Sequence, residues 1–253
     1  MIENKKVNVV MPMAGRGQRF LDQGINVPKP LIKLGDRTII EWLISTLAIP
    51  NAHFIFIVRK EHVEGNKIDQ ILKSIMPDAD IIVIDRVTEG AVCTVLLSTH
   101  LINNDDELII KDCDQILNWN ANMFFEFVQR KRADGAIVTI PTQNPGFSYA
   151  KLSDDFVHIA ETREKRVISM FGCSGLYHFS RGSEFVQYAT RMISKNIRVN
   201  NEFYVSPVYN EYIQDGREIV NFPVAEMFSF NTPEEFAHYE QPTLAFLKAR
   251  AKQ

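Results

Sequence analysis

The chain has 253 residues, 45% of them hydrophobic, which is enough to bury a core of its own as one globular unit. Its 28 Lys and Arg stand against 31 Asp and Glu, a formal charge of −3, with no tract of five like charges. That excludes a nucleic-acid arm and a membrane-seeking patch, so any positive site must be local.

The apolar runs are strand-length, and the N-terminal lysines are not followed by an apolar stretch, which points to the cytoplasm. Cys93, Cys113 and Cys173 are far apart and odd in number, and the six histidines form no zinc-like pair. Neither a disulfide framework nor a Cys-x-x-Cys clip is expected.

Up to residue 143, short β-rich runs alternate with longer helical ones: KVNVVMPM, RTIIEWLISTL, HFIFIVRK, KIDQILKSIM, ADIIVID, AVCTVLLSTHLI, DELIIKD, NMFFEFVQRKR and GAIVTIPTQ. This predicts an α/β fold, a mostly parallel twisted sheet with helices on both faces, whose ligands lie beyond the carboxyl ends of the strands. From Phe147 the rhythm changes to closely spaced extended pieces, SYAKLSD, FVHIAE and FGCSGLYHF. The helical stretches SEFVQYATRMI and SPVYNEYI, the strand EIVNFPV and a closing helix follow. In NTPEEF, Thr232 is the expected N-cap and Pro233 the first helical residue. With no repeat and no low-complexity linker, the reading is one domain over 1–253. Residues 1–143 form a nucleotide-binding half, and 144–253 add a smaller acceptor-side β/α layer to the same sheet.

The first strand runs into MPMAGRGQRF. Gly15 and Gly17 allow a close backbone approach with N–H groups aimed at phosphate oxygens, and Arg19 adds charge. A dinucleotide fingerprint would need a third glycine where Phe20 stands. A Walker loop would need Gly, Lys and a hydroxyl residue at Phe20, Leu21 and Asp22, so neither fits. A tight strand-to-helix turn without a ligand is the other reading. Ten residues later, VPKPLIKL presents Lys29 between two prolines on a stiff loop.

Together, MAGRGQRF and VPKPLIKL resemble the signature of the sugar-phosphate nucleotidyltransferases, Gly-x-Gly-x-Arg followed by Pro-Lys-Pro. TEGAVCTVLL resembles that family's base-holding segment, and IIKDCDQIL its metal-bearing strand end. NNEFYVSPVYNEYI resembles the acceptor-side helix region, and FNTPEEF the closing Gly-Thr-Pro-Glu-Asp string. The resemblance implies a Rossmann-like nucleotidyltransferase fold and a transferase joining a nucleoside triphosphate to a small phosphorylated acceptor, with release of pyrophosphate. It implies that Met13, Ala14, Gly15 and Gly17 cradle the triphosphate, that Arg19 serves the leaving pyrophosphate, and that Lys29 serves the α-phosphate and the incoming phosphate. Gly90 would approach the base with Glu89 beside it. Asp114 would hold Mg²⁺, with Asp112 as a second ligand or a nucleotide contact, since such an ion takes one or two protein carboxylates. Glu164, Lys165, Glu202 and Tyr204 would contact the acceptor.

One position departs from the family. A second metal-binding aspartate is expected three residues before Thr232, where Ser229 stands, and Asn231 replaces the glycine. Glu226, Asp112 or water are the candidates to fill that place. A carboxylate at Glu89 accepts but does not donate, which suits the amino group of cytosine and favours CTP over UTP and dTTP. Capsule or other surface-polymer precursors are the family's expected products, and a homodimer is compatible with it. Three rival readings remain. One is a cytidylyltransferase for a phosphocholine-like or phospho-amino-acid acceptor, another a glycosyltransferase using Asp112-x-Asp114, and the last an inactive nucleotide-binding regulator suggested by Ser229.

Overall fold

The computed structural model describes residues 5–250. Strand β1 (Val7–Met13) is apolar almost throughout because it is covered on both faces: Val9, Met11 and Met13 enter one core and Val10 the other. A short helix, α1 (Gln18–Leu21), and a single 3₁₀ turn at Lys29–Leu31 follow. The small hairpin β2 (Lys33–Leu34) and β3 (Arg37–Thr38) leads into α2 (Ile39–Leu47). That helix starts at a capping box in which Thr38 and Glu41 satisfy each other's backbone N–H. Next come β4 (Ala52–Arg59), α3 (Lys60–Asn66), α4 (Ile68–Ile75) and β5 (Asp80–Ile84).

The stretch AVCTVLLSTHLI is two helices rather than one, α5 (Ala91–Leu96) and α6 (Thr99–Ile102). They are broken at Ser98, whose hydroxyl donates back to the Val95 carbonyl. Strand β6 (Glu107–Lys111) ends at Lys111, and β7 (Gln115–Leu117) leaves the main sheet. The rest of the chain forms α7 (Ala121–Lys131), β8 (Gly135–Pro141), β9 (Ser148–Leu152), β10 (Ile159–Glu164) and β11 (Phe171–Phe179). After these come α8 (Gly182–Ser194), α9 (Val208–Gln214), β12 (Ile219–Pro223), β13 (Met227–Ser229) and α10 (Pro233–Arg250). As the sequence predicts, Thr232 caps the last helix, its hydroxyl accepting from the Glu235 N–H at 3.1 Å.

Among the described residues, nine strands make the main sheet. Its path is β10-β9-β11-β6-β1-β4-β5, with β8 joined to β11 and β12 joined to β8. The β6-β1-β4-β5 portion is parallel, as βα alternation requires. Strand β11 runs antiparallel to β6, β8 and β9, so the direction changes there. Because β8 pairs with β11, residues 135–141 join the sheet on the far side of β11 from β6. One core holds side chains of α2, α4, α7 and α10, and the other those of α5, α8 and α9, so helices cover both faces. Among the described residues no helix is long and apolar enough to cross a membrane.

Candidate active site

At the carboxyl end of β1 the chain turns through Gly15 and Gly17. Gly17 takes φ +66° and caps α1 without a side-chain bond, a conformation that favours glycine. Next door, β6 delivers Lys111, Asp112 and Asp114 in the turn before β7. The Asp112 N–H donates to the carbonyl of Gly175 at 2.8 Å, and the Asp114 carbonyl accepts from Phe230 at 2.8 Å. That second bond continues the β7–β13 ladder, in which Ser229 faces Gln115.

Pro28 and Pro30 bracket Lys29 on the 3₁₀ turn, and its ammonium meets the Asp114 carboxylate at 2.5 Å. Burial alone would lower the Lys29 pKa, but Asp114, helped by Cys113 and Asp112, outweighs it and the pKa is raised. The Asp112 carboxyl is also raised above its ordinary value. Burial and the charge of Asp114 push its pKa up to about 7 against the pull of Lys111 and Lys29. Lys111 is fully buried, and that burial lowers its pKa. It donates to the Asp112 carbonyl at 2.8 Å and to Gln115 Oε1 at 3.3 Å.

Two adjoining cavities open on this turn. A smaller one of about 350 Å³ is lined by Gly15, Arg16, Gly17, Lys29 and Asp114. A larger one of about 760 Å³ is lined by Arg19, Ser148, Glu164, Lys165, Tyr204 and Glu235. Asp112, Gln115 and Asn231 line both and stand between them.

On the wall of the larger cavity, Glu164 is buried and its pKa is raised by that burial, against hydrogen bonds from Ser148 and Ser206. Lys165 takes φ +51°, which turns its side chain toward Tyr204. Its ammonium donates to the phenol oxygen at 2.5 Å and lies 4.6 Å from the ring centroid. Burial and a hydrogen bond with Glu202 push the Tyr204 phenol up.

The structure therefore brings together Met13, Gly15, Gly17, Lys29, Asp112 and Asp114 around the smaller cavity, and Arg19, Glu164, Lys165 and Tyr204 around the larger. Arg19 is separated from Gly15 and Gly17 because α1 begins at Gln18 and carries it round. Arg16, still ahead of the helix, faces the smaller cavity instead. Ala14 packs into the core. Glu89 and Gly90 line neither cavity. The Glu89 carboxylate pairs with Arg198 at 2.5 Å, and Arg198 lies 4.0 Å over the Phe203 ring. Gly90 has φ +127°, and a Cβ there would sit 2.5 Å from the backbone N and O of Phe203. Its glycine is thus required by the docking of residues 199–203. Glu202 is exposed and does not line the larger cavity, but it acts on Tyr204 and Glu164, which do.

At the departing position, Ser229 Oγ donates to Glu235 Oε2 at 2.7 Å, and the Asn231 N–H donates to the same oxygen at 2.9 Å. Glu226 points elsewhere and accepts from Asn118 at 3.2 Å. Sequence reasoning missed Arg16, Lys111, Gln115, Glu235 and Gly175. Gly175 has φ +71°, and a Cβ there would meet the Asp112 carboxylate at 2.6 Å and Gln115 Oε1 at 2.5 Å. A lysine inside the apolar run ELIIKD was a readable signal for Lys111, since a buried ammonium needs partners.

No family model and no curated protein matches the chain. Solved structures do. The nucleoside-diphosphate-sugar pyrophosphorylase from Vibrio cholerae superposes with a TM-score of 0.79 at 22% identity, covering 92% of this chain and 99% of its own. The UDP-glucose pyrophosphorylase complexed with UDP-glucose gives 0.76 at 12% identity, covering 95% and 99%. The inositol-1-phosphate CTP transferase from T. maritima gives 0.70 at 11% identity, covering 93% of each chain. This chain has the nucleotidyltransferase fold. At these identities the likeness is one of architecture, and activity must be argued from the side chains.

Proposed function

We propose that the protein is a nucleotidyltransferase that joins a nucleoside triphosphate to a phosphorylated, hydroxyl-rich acceptor and releases pyrophosphate. The observation that carries the reading is the meeting of Lys29 with Asp114, between a glycine turn and a strand end, where two cavities adjoin. An acceptor phosphate oxygen attacks the α-phosphorus, a new P–O bond forms, and the bond to the β-phosphate oxygen breaks as pyrophosphate leaves. Both partners are anions, so the protein's work is charge neutralisation and alignment rather than covalent catalysis. Lys29 neutralises the α-phosphate, Arg16 and the N–H groups at Gly15 and Gly17 face the triphosphate side, and Arg19 and Lys165 face the acceptor phosphate.

Asp112 and Asp114 fit Mg²⁺, because both offer hard oxygens in the turn where the two cavities meet. Among the described residues no group of three or more His, Cys, Asp and Glu side chains is arranged to hold a metal. The protein thus offers two carboxylates and leaves other positions to phosphates and water. When bound there, the ion supplies charge neutralisation at phosphate oxygens.

The larger cavity supports a sugar or polyol phosphate as acceptor over a phosphocholine-like one. A quaternary ammonium is held by open aromatic faces, and the Tyr204 ring already carries the Lys165 ammonium. Asn144, Ser148, Asn200 and Thr232 instead supply neutral hydrogen-bonding groups. CTP is the proposed triphosphate. Its support is the inositol-1-phosphate CTP transferase of the same fold, since Glu89 is engaged by Arg198. Activated acceptors of this kind serve surface-polymer assembly, the role we propose. Incubation with each triphosphate, Mg²⁺ and a panel of sugar, polyol and choline phosphates, with pyrophosphate measured, tests the reading. Release with a hydroxylated acceptor is expected, and absence of release with every pair rejects it.

A further inference from the structure

A third cavity, of about 570 Å³, lies at the other end of the sheet. It is formed where β1 begins at Val7 and β6 begins at Glu107, and where β11 ends beyond His178, with α7 as a wall. The seven residues of β1 separate it from the glycine turn by about 20 Å at roughly 3.3 Å per residue. Its size suits a small organic molecule, such sites spanning roughly 300 to 1,000 Å³.

The lining is built for a polar ligand with an apolar face. Val7, Phe125 and Val128 supply the apolar wall. Lys5, Arg132 and Arg181 come from three different places: the segment before β1, the C-cap of α7 and the N-cap of α8. Among the described residues neither Lys5 nor Arg132 has an ion pair, and Arg181 reaches only the exposed Asp105 at 3.9 Å. Arg217 is already committed to Asp134 and Glu184, at 3.2 and 3.1 Å. Three cations on separate elements match a phosphate dianion better than a carboxylate, which one arginine fork satisfies.

The wall behind the cavity is polar as well. His178 is fully buried, and its Nε2 donates to Glu107 at 2.9 Å, because a carboxylate can only accept. Its Nδ1 is left buried without a partner, and so is Glu184 Oε2. The neutral polar groups on the cavity lining, Asn122, Gln129 and Ser180, are the ones that ligand hydroxyls would serve.

We propose that this cavity binds a small phosphate monoester carrying hydroxyl groups, as a second ligand site apart from the candidate active site. Both sugar phosphates and nucleoside monophosphates have that chemistry. The test uses methyl NMR on protein labelled at valine and methionine, with Val7 and Val128 reporting this cavity and Met13 the glycine turn. Ribose 5-phosphate and CMP are the probes, and ribose and inorganic phosphate the controls. Saturable shifts at Val7 and Val128 with either phosphate ester are expected, and which ester acts identifies the source. The shifts should persist in Lys29→Ala and weaken at least about tenfold in Arg132→Asn, which removes the charge at a left-handed position that asparagine tolerates. Gln129→Trp, on an exposed position lining the cavity, should block them without disturbing the remaining spectrum. Silence at Val7 and Val128 up to about 10 mM of both esters, which is weaker than a specific site warrants, would overturn the proposal. So would equal saturation by inorganic phosphate, or shifts unchanged in both cavity variants.

Discussion

Asp112 sits where burial and the neighbouring Asp114 both oppose its ionisation, so its folded pKa of about 7 lies above the ordinary value of 3.8. Between those values the folded chain holds more protons than the unfolded chain. Stability associated with that proton is fully present below the lower value and is lost as pH rises through the upper one. Asp112→Asn should therefore raise Tm at about pH 8, with the gain fading toward about pH 4, in melts without added divalent metal. A gain of equal size at both ends would assign the titration to another group. Lys29 answers to the same electrostatics. Lys29→Ala should lower turnover at least about a hundredfold, because it removes a cation facing developing charge. It should also cost about 1 to 3 kcal/mol of stability, since Asp114 is left almost buried and unpaired. Pyrophosphate-release rates and denaturant unfolding measure the two effects, and a near-normal rate would remove Lys29 from the mechanism. Sequence alone displayed Lys29 through its flanking prolines. It did not display the Asp114 partner, 85 positions away, because no local pattern encodes a contact made by tertiary packing.

The elements fall into those written in local chemistry and those set by distant pairing. The parallel strands were legible as apolar runs, continuous and covered on both faces in β1 and β4, and α10 was legible because Thr232 and Pro233 form its start. The β7–β13 ladder was not, because its two three-residue strands carry no periodicity and meet only across the fold. Glycines show the same division. Gly17 has φ +66° with open space around its missing Cβ, whereas Gly90 at φ +127° has the Phe203 backbone 2.5 Å from where a Cβ would be. Gly17→Ala should cost roughly 1 kcal/mol of backbone strain. Gly90→Ala must push the 88–91 turn off the 199–203 segment and should cost at least about twice as much. Equal losses in urea unfolding would show that Gly90 is not held by that contact.

Across the whole molecule, a parallel half that ends in the glycine turn and Asp112 meets a mixed, largely antiparallel half that carries Glu164, Lys165 and Tyr204. The seam is β11, whose register shifts between Cys173 and Tyr177 and whose Gly175 leaves room for the Asp112 carboxylate. Because the two cavities share only Asp112, Gln115 and Asn231, a change on the far wall of the larger one should reach one substrate and spare the other. Lys165 is the suitable position. Its ammonium bonds the Tyr204 phenol beside the larger cavity, the proposed acceptor site, while its left-handed backbone accepts asparagine with little strain. Lys165→Asn should raise the acceptor KM about tenfold, the scale of one lost charge-assisted contact of about 1.4 kcal/mol, and leave the triphosphate KM within about twofold. Initial rates with each substrate varied in turn separate the two constants. If both constants rise together, the halves do not divide the substrates between them, and Lys165 acts by holding the cavity in shape through Tyr204.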